Sequence, residues 1–511
     1  MLVVAALPAH TTRKHIRLQN MGLFASKPAP YADGETSITI VGAGLVGSLL
    51  AVVLRSKGYD VRIFERYGDI RAIPSVGRSI NLVATVRGLR ALRALPPDVC
   101  ERLLKLGTKV TGRVIHTTDG EALFQRYGKD DSEFNYSISR YELNKFLLSE
   151  AERAGAEIRF GHRLVGVDPE GVTLTFDKGD GAFDVTCRGP VLACDGGGSG
   201  VRKALGDVAT EALLDSGYKE MLFPKGTSLE THGLHIWPRG THFLMALANL
   251  DGSFTGTIYM VNEGDGPTFA SLEKGGVEAA EKFLEEAYGD ALAHLGGAKR
   301  AAEQLVKNPR GILGTVRTKT WAFGGKLALV GDAAHAIVPF FGQGMNCGFE
   351  DVDVLCALLE AKAPPGSAAP DFAGAFAEYE AKRKKNANAI ADMALENYVE
   401  MMDRTGDPDF RKAKAVENAL ENSALGSRFR SRYAMVCYGG GRQPGGVQYD
   451  DALQLGKVQW DIVCELAAGL DDPENAAAHL DEAKAAALLD SKLAPLQAKL
   501  GVDLSTISHH A

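Results

Sequence analysis

The chain has 511 residues, ordinary hydrophobic (45%) and charged (24%) fractions and a formal net charge of −7, with no basic stripe to suit a nucleic acid. Its length predicts two or three domains with ample core, and no apolar run reaches the roughly 18 residues that a membrane-spanning helix needs. Seven cysteines (Cys100, Cys187, Cys194, Cys347, Cys356, Cys437 and Cys464) lie scattered without a C-x-x-C pair, which argues for reduced thiols rather than a disulfide framework or a metal site.

Residues 1–36 form an N-terminal extension. Up to Pro30 it carries Arg13, Lys14, Arg17 and Lys27 but no acid, and it reads equally as an organelle presequence or as a disordered leader. Ser37–Val41 has the pattern of a short buried strand and runs into Gly42-Ala43-Gly44-Leu45-Val46-Gly47, a helical stretch to Lys57, and a second strand, Val61–Phe64, that ends at Glu65. Strand, glycine turn, helix, strand and acid in that order make a dinucleotide-binding fingerprint. Gly42, Gly44 and Gly47 permit the tight turn and the close approach of a pyrophosphate to a helix N-terminus, and Glu65 is placed to accept from a ribose.

Two helices are predicted to about Leu106, then strands over Arg113–Thr118, Ala122–Tyr127 and Tyr136–Arg140, and a helix over Tyr141–Ala154. Alternating segments fill Ile158–Thr186, and a buried strand, Val191–Cys194, ends on Asp195-Gly196. From His232 to Met260 the pattern is that of a sheet punctuated by turns, followed by helical sequence over Ser271–Val306. Another short buried strand, Leu327–Val330, ends on Gly331-Asp332. The next seventeen residues, Ala333–Phe349, hold a proline, three glycines, three phenylalanines and no Asp, Glu, Lys or Arg. So dry and glycine-rich a loop suits backbone pressed against a flat ligand. Beyond a Pro/Ala/Gly connector, Lys362–Asp371, long helices are predicted over Phe372–Arg404 and Asp409–Tyr433, then a break at Tyr438–Gly446 and a helical tail around Ala476–Leu500.

Two of these strand ends, Asp195-Gly196 and Gly331-Asp332, carry an acid beside a glycine, and a third runs into the Gly42–Gly47 turn. Gly42–Gly47, Asp195-Gly196 with Arg202, and Gly331–Asn346 resemble the flavin signatures of the single-component aromatic hydroxylases, FAD enzymes of the p-hydroxybenzoate hydroxylase fold. Arg78–Leu82, Ser139-Arg140, Leu143–Lys145, His235–Arg239, Ala333–Asn346, Gly348–Asp351 and Asn397–Met401 resemble the branch of that family that acts on L-kynurenine. The resemblance implies an α/β chain in which residues 37–112, 141–215 and 310–365 form a discontinuous Rossmann-type FAD-binding domain. Residues 113–140 and 216–309 form an inserted β-sheet substrate-binding domain, and residues 366–511 a helical C-terminal region.

The resemblance places FAD contacts on Val46, Glu65, Val83, Arg140, Leu164, Asp195, Asp332, Met345 and Asn346, and substrate contacts on Arg113, Tyr127, Asn397 and Tyr433. Phe254, Phe340 and Phe341 read as walls for the substrate ring or equally as packing, His335 as structural, and no side chain as an acid or base. The implied reaction makes 3-hydroxy-L-kynurenine from L-kynurenine with NADPH and O2 through a flavin C4a-hydroperoxide, in tryptophan catabolism and NAD biosynthesis. The alternatives are a hydroxylase of another aromatic acid and a flavin-binding protein without turnover. Three departures stand out: Tyr67 where an arginine is common, Lys219 where some relatives carry methionine, and no hydrophobic anchor of the animal type in Ala434–Ala511. The family implies association with the mitochondrion; the missing anchor leaves a cytoplasmic location equally open.

Overall fold

A computed structural model describes residues 37–507 apart from 73–79, 171, 207, 364–368, 403–406, 441–445, 469 and 471–478. The N-terminal extension and Arg78-Ser79 therefore lie outside the described residues, as do parts of the connector at 362–371, of the break at 438–446 and of the tail stretch from Ala476.

The chain is a mixed α/β structure. At its base is a six-stranded sheet whose order is Ala322–Phe323, Leu327–Leu329, Val191–Ala193, Ser37–Val41, Asp60–Phe64 and Glu157–Arg159. All its neighbours run parallel except the first pair. Strands buried on both faces need continuous apolar residues, which is why SITIV, VLA and LAL serve here. Register does the positioning: Val41 lies beside Ala193 and Phe64, and Ala193 beside Leu329. Four strands thus end level, and the turns at Gly42, Asp195, Gly331 and Glu65 open onto one edge. Glycine is required at Gly42, which has φ +100° and where a Cβ would lie 2.5 Å from the Cys194 carbonyl oxygen.

Above this edge stands a seven-stranded sheet with the order Gly311–Thr318, Ala209–Phe223, Phe254–Val261, His242–Ala248, Gly233–Pro238, Gly112–His116 and Ala122–Arg126. Strand alternation gives it two apolar faces. Met221, Phe223, Trp237, Leu244, Phe254, Ile258 and Met260 pack with residues of the helices Phe269–Leu295 and Ala298–Lys307. Ile236, Phe243 and Tyr259 belong instead to the main core, with Phe340 and Phe341. Arg113 is registered beside Leu234, two residues from Ile236, so it shares the second face. Lys219, on the first face, is 1% exposed yet satisfied: its ammonium donates to the Leu305 carbonyl near a helix C-terminus (2.7 Å) and pairs with Glu273 (2.8 Å).

Several boundaries differ from expectation. Gly311–Thr318 pairs with Ala209–Phe223 in the seven-stranded sheet, although the sequence places residues 310–365 with the nucleotide-binding pieces. Asn135–Ser139, expected in the inserted sheet, instead pairs with Asn81–Ala84 and Gly107–Val110 in a separate three-stranded sheet. Helical periodicity does not reveal these pairings because strand partners are chosen at long range. The helix expected over Asp409–Tyr433 is broken. Pro408–Asn422 stops where the Ser423 hydroxyl caps a new turn, Ala424–Ser427, and Arg432–Tyr438 restarts under a cap from Ser431. Tyr449–Ala467, unannounced by any sharp signal, is a further helix against Phe372–Met402. No helix among the described residues is long and apolar enough to cross a membrane.

Gly42→Ala is expected to destabilise the chain by about 2–3 kcal/mol, combining the strained φ with the overlap on Cys194. A denaturation midpoint equal to that of the parent would contradict this.

Candidate active site

The first strand end supplies a cradle. The helix Leu45–Ser56 begins at Gly44 with no side-chain cap, and a Cβ on Gly44 would meet nothing within 4 Å, so its N-terminal amides open onto free space. Gly47 cannot take a side chain, because a Cβ there would lie 2.1 Å from the Gly42 carbonyl oxygen. Glu65 accepts from the Ala43 amide (2.8 Å) and the Tyr67 amide (2.9 Å), which fixes its carboxylate at the rim of the cradle. Tyr67, where an arginine was noted as common, contributes its backbone here and exposes its ring.

The second and third ends are stapled together. Asp195 accepts from the Ser199 hydroxyl (2.5 Å) and the Val201 amide (3.0 Å). Arg202, 2% exposed, donates to the carbonyls of Ala333 (2.9 Å) and Gly197 (2.5 Å) and pairs with Glu211 (2.6 Å). The arginine of that motif is therefore a clamp between the two turns. Leu164 packs against the main core beside the short helix Gly200–Ala204, its carbonyl oxygen 3.2 Å from where a Gly200 Cβ would lie. Asp332 is half-buried, and its carboxylate takes no hydrogen bond from a described residue. Burial pushes that carboxyl above its ordinary value, partly offset by the exposed Arg140 guanidinium.

The dry loop after Asp332 is closed by Asp351. Fully buried, its carboxylate accepts from the Gly331 amide (3.0 Å), His335 Nε2 (2.5 Å) and Arg383 Nε (2.7 Å). Burial alone would lower the His335 pKa, but Asp351 pushes it well above the usual value, so the ring is an imidazolium held in place. Arg383 also pairs with Glu350 (2.6 Å), and Glu350 with Arg87 (3.0 Å). His335, Cys347 and Asp351 converge closely enough to ligate a metal ion. The Arg383 guanidinium, 2.7 Å from Asp351 and 3.3 Å from the Cys347 sulfur, already supplies the cation there.

Val46 fills the space against Gly331, where a Cβ would lie 3.0 Å from a Val46 methyl. Asn346 donates to the carbonyls of Val83 (2.7 Å) and Gly342 (2.9 Å) and accepts from the Thr85 amide (2.9 Å). Its side chain is thus consumed in bolting the loop to the strand Asn81–Ala84. Met345 lies beside it, 8% exposed, in the first turn of the helix Gly344–Ala361. Gln343, 0% exposed, is a residue that sequence reasoning missed. It accepts from the Tyr449 hydroxyl (2.9 Å) and donates to the Phe341 carbonyl (3.4 Å). Arg87 lies 3.9 Å above the Tyr449 ring. An uncharged Gln inside a glycine-rich run gave no cue.

A second cluster faces this loop. Tyr127 and Tyr433 stack with ring centroids 4.9 Å apart, and Tyr433 stacks on Phe341 at 6.0 Å. Arg113, half-buried, lies within electrostatic reach of both tyrosines and pairs with no carboxylate among the described residues. Burial pushes Tyr127 up to about 12 and raises Tyr433 well above its ordinary value, so both stay neutral hydroxyls at physiological pH. Asn397 donates to the Phe340 carbonyl (2.6 Å), and Phe340 stacks on Tyr398 at 4.3 Å. Phe254 does not join this cluster. It packs edge-on against His235 (5.8 Å) on the opposite face of the sheet, a core residue rather than a wall of the site. Its odd-even position along Phe254–Val261 carries that information: Tyr259, not Phe254, points to Phe340 (5.2 Å).

Two outcomes follow. Arg383→Met, which takes one of two cations from each of Glu350 and Asp351, should cost about 3–5 kcal/mol of stability, measured by denaturant unfolding. Because the His335 pKa is raised in the folded chain, its contribution is complete below the unfolded value near 6.5 and fades as pH rises through the folded one. Alkaline loss of stability should accordingly be smaller in His335→Gln than in the parent.

These residues fit FAD on their own chemistry: an uncapped helix start for pyrophosphate, carboxylates at three strand ends for hydroxyls, and an apolar backbone loop for a planar ring. Residues 35–394 match the family described as "FAD binding domain". The kynurenine 3-monooxygenase of Myxococcus xanthus is 42% identical over 472 residues, spanning 90% of this chain and 96% of that one. That of Stenotrophomonas maltophilia is 39% identical over 456 residues, 87% and 95% of the two chains. Among solved structures, 2-methyl-3-hydroxypyridine-5-carboxylic acid oxygenase superposes with TM-score 0.59 at 19% identity over 72% of this chain and 92% of its own. PqsL of Pseudomonas aeruginosa, solved in complex with 2-aminobenzoylacetate, does so with TM-score 0.59 at 20% identity over 72% and 97%. The likeness in shape establishes the fold, and the identity over almost the whole length establishes more: the chain belongs to the kynurenine 3-monooxygenase family of FAD-dependent flavoproteins.

Proposed function

We propose that the chain hydroxylates L-kynurenine to 3-hydroxy-L-kynurenine, consuming NADPH and O2 with FAD bound. The observation that carries the substrate is Arg113, a half-buried guanidinium with no acidic partner among the described residues, facing the tyrosine pair and the loop that carries Phe340 and Phe341. A buried cation without a protein anion is matched by a ligand anion, and a guanidinium takes a carboxylate bidentately. Kynurenine offers an amino-acid carboxylate at one end and an aromatic amine at the other. In this reading the six-stranded sheet and its glycine turns hold the cofactor, the inserted seven-stranded sheet supplies the substrate side, and the C-terminal helices close the chamber.

Bound FAD supplies the electron acceptor for NADPH and the place where O2 is activated. Everything else falls to this chain. Asp332, Asp195 and Glu65 would accept from sugar and ribityl hydroxyls, Arg140 would meet the pyrophosphate, and Val46, Val83 and Leu164 would line the apolar edges. The amides of Met345 and Asn346, at the start of an 18-residue helix, would stabilise negative charge at the ring edge. Arg113, Tyr127 and Tyr433 hold the substrate's carboxylate, and Phe340 and Phe341 fix its ring while keeping water out. Kynurenine's own amine enriches the ring carbon beside it, so no side chain has to act as a base, and none in this cluster has a shifted pKa suited to that task.

Arg113→Ala should raise the KM for kynurenine about 100-fold, the loss of two hydrogen bonds to a charged group, and leave the bound flavin's visible spectrum intact. Separate feeding of kynurenine, salicylate and p-hydroxybenzoate, with product identified, tests the substrate. Hydroxylated product from either of the last two but none from kynurenine would sink the reading.

A further inference from the structure

Tyr433 is held from behind by a segment that the reading above leaves without a task. Asn135 opens the strand Asn135–Ser139, is 0% exposed, and donates its amide N–H to the Tyr433 hydroxyl oxygen at 2.9 Å. Its amide oxygen is buried and has no hydrogen-bond partner. In this orientation one amide N–H is satisfied by Tyr433, and the carbonyl is the group left without a donor. Two residues earlier, Glu133 accepts twice from Arg430 (2.7 and 2.8 Å) and once from the Lys129 amide (3.0 Å), and Arg430 also lies 2.9 Å from Glu421. Lys129 donates to the Gly426 carbonyl (2.6 Å). The segment from Lys129 to Asn135 therefore grips the start of the short helix Arg432–Tyr438 at several points, and the last grip falls on the tyrosine oxygen itself.

A phenol has a single proton. When its oxygen accepts from Asn135, the remaining lone pair and the O–H turn away from that residue, and the O–H must find an acceptor on the other side. The acceptors within its reach are the Tyr127 hydroxyl, whose ring stacks at 4.9 Å, the Cys437 sulfur, and a ligand anion held by the neighbouring Arg113.

We propose that Asn135 is a positioning residue for substrate binding: its N–H, given to Tyr433, directs the tyrosine's own proton toward the carboxylate that Arg113 holds. The inference rests on the reading that Arg113 holds an amino-acid carboxylate. Asn135 touches no substrate in this scheme; it sets the direction of a donor that does.

The test is a thermodynamic cycle read by calorimetric titration of kynurenine into the FAD-loaded protein, without turnover. Asn135→Leu, close in shape but without polar atoms, should weaken binding about ten-fold, the loss typical of one hydrogen bond to a charged group. Tyr433→Phe should weaken it by a similar factor, and the double variant no more than Tyr433→Phe alone, since the first change acts only through the second. KM should follow the dissociation constant while kcat changes little. Should Asn135→Leu fail to retain FAD, Asn135→Asp carries the same test, because its carboxylate accepts the tyrosine's proton and points it the wrong way. Parental affinity in the Asn135 variant, or losses that multiply in the double variant, would overturn the role of Asn135 and leave the substrate reading standing. No kynurenine binding by the unmodified protein would overturn both.

Discussion

One buried carboxylate governs the site. Asp351 accepts from the amide of Gly331, twenty residues back, and from His335 between them, so both ends of the loop are tied to a single anion. A carboxylate at 0% exposure cannot remain charged unless cations meet it, and His335 and Arg383 do. The consequence reaches outward. Arg383 belongs to the helix Phe372–Met402, which also carries Asn397, the residue that grips Phe340. The anion that closes the loop thereby sets where the C-terminal helices stand against it.

The same economy appears where the two sheets meet. Level strand ends bring Gly42, Glu65, Asp195 and Asp332 to one edge. The seven-stranded sheet then brings Arg113 to it by having its second apolar face turned that way. Lys219 illustrates the complementary rule on the other face. A buried lysine survives in the core because backbone carbonyls near a helix end and Glu273 receive its protons. It needs no functional explanation.

Much of the nucleotide side was legible because its signals are local. A glycine turn between a strand and a helix, followed by an acid at the next strand end, is dictated by backbone geometry over some thirty residues, and the turns at Gly42, Asp195 and Gly331 fell where the spacing placed them. The substrate side was not legible in that way. Arg113 on an alternating strand has the sequence signature of a surface residue, and only resemblance singled it out. Phe254 shows the limit of that approach: residue type suggested a ring wall, whereas its parity on the strand sends it to the opposite core. Gln343 and Asn135 were invisible for a further reason. Their importance lies in partners 106 and 298 residues away, and nothing near them in the chain announces a contact of that span.

The bond between Gln343 and Tyr449 sets an order of events during synthesis. The glycine turns, both sheets and the loop itself leave the ribosome well before residue 449, yet the loop's buried amide has no tyrosine hydroxyl to accept from until the last part of the chain arrives.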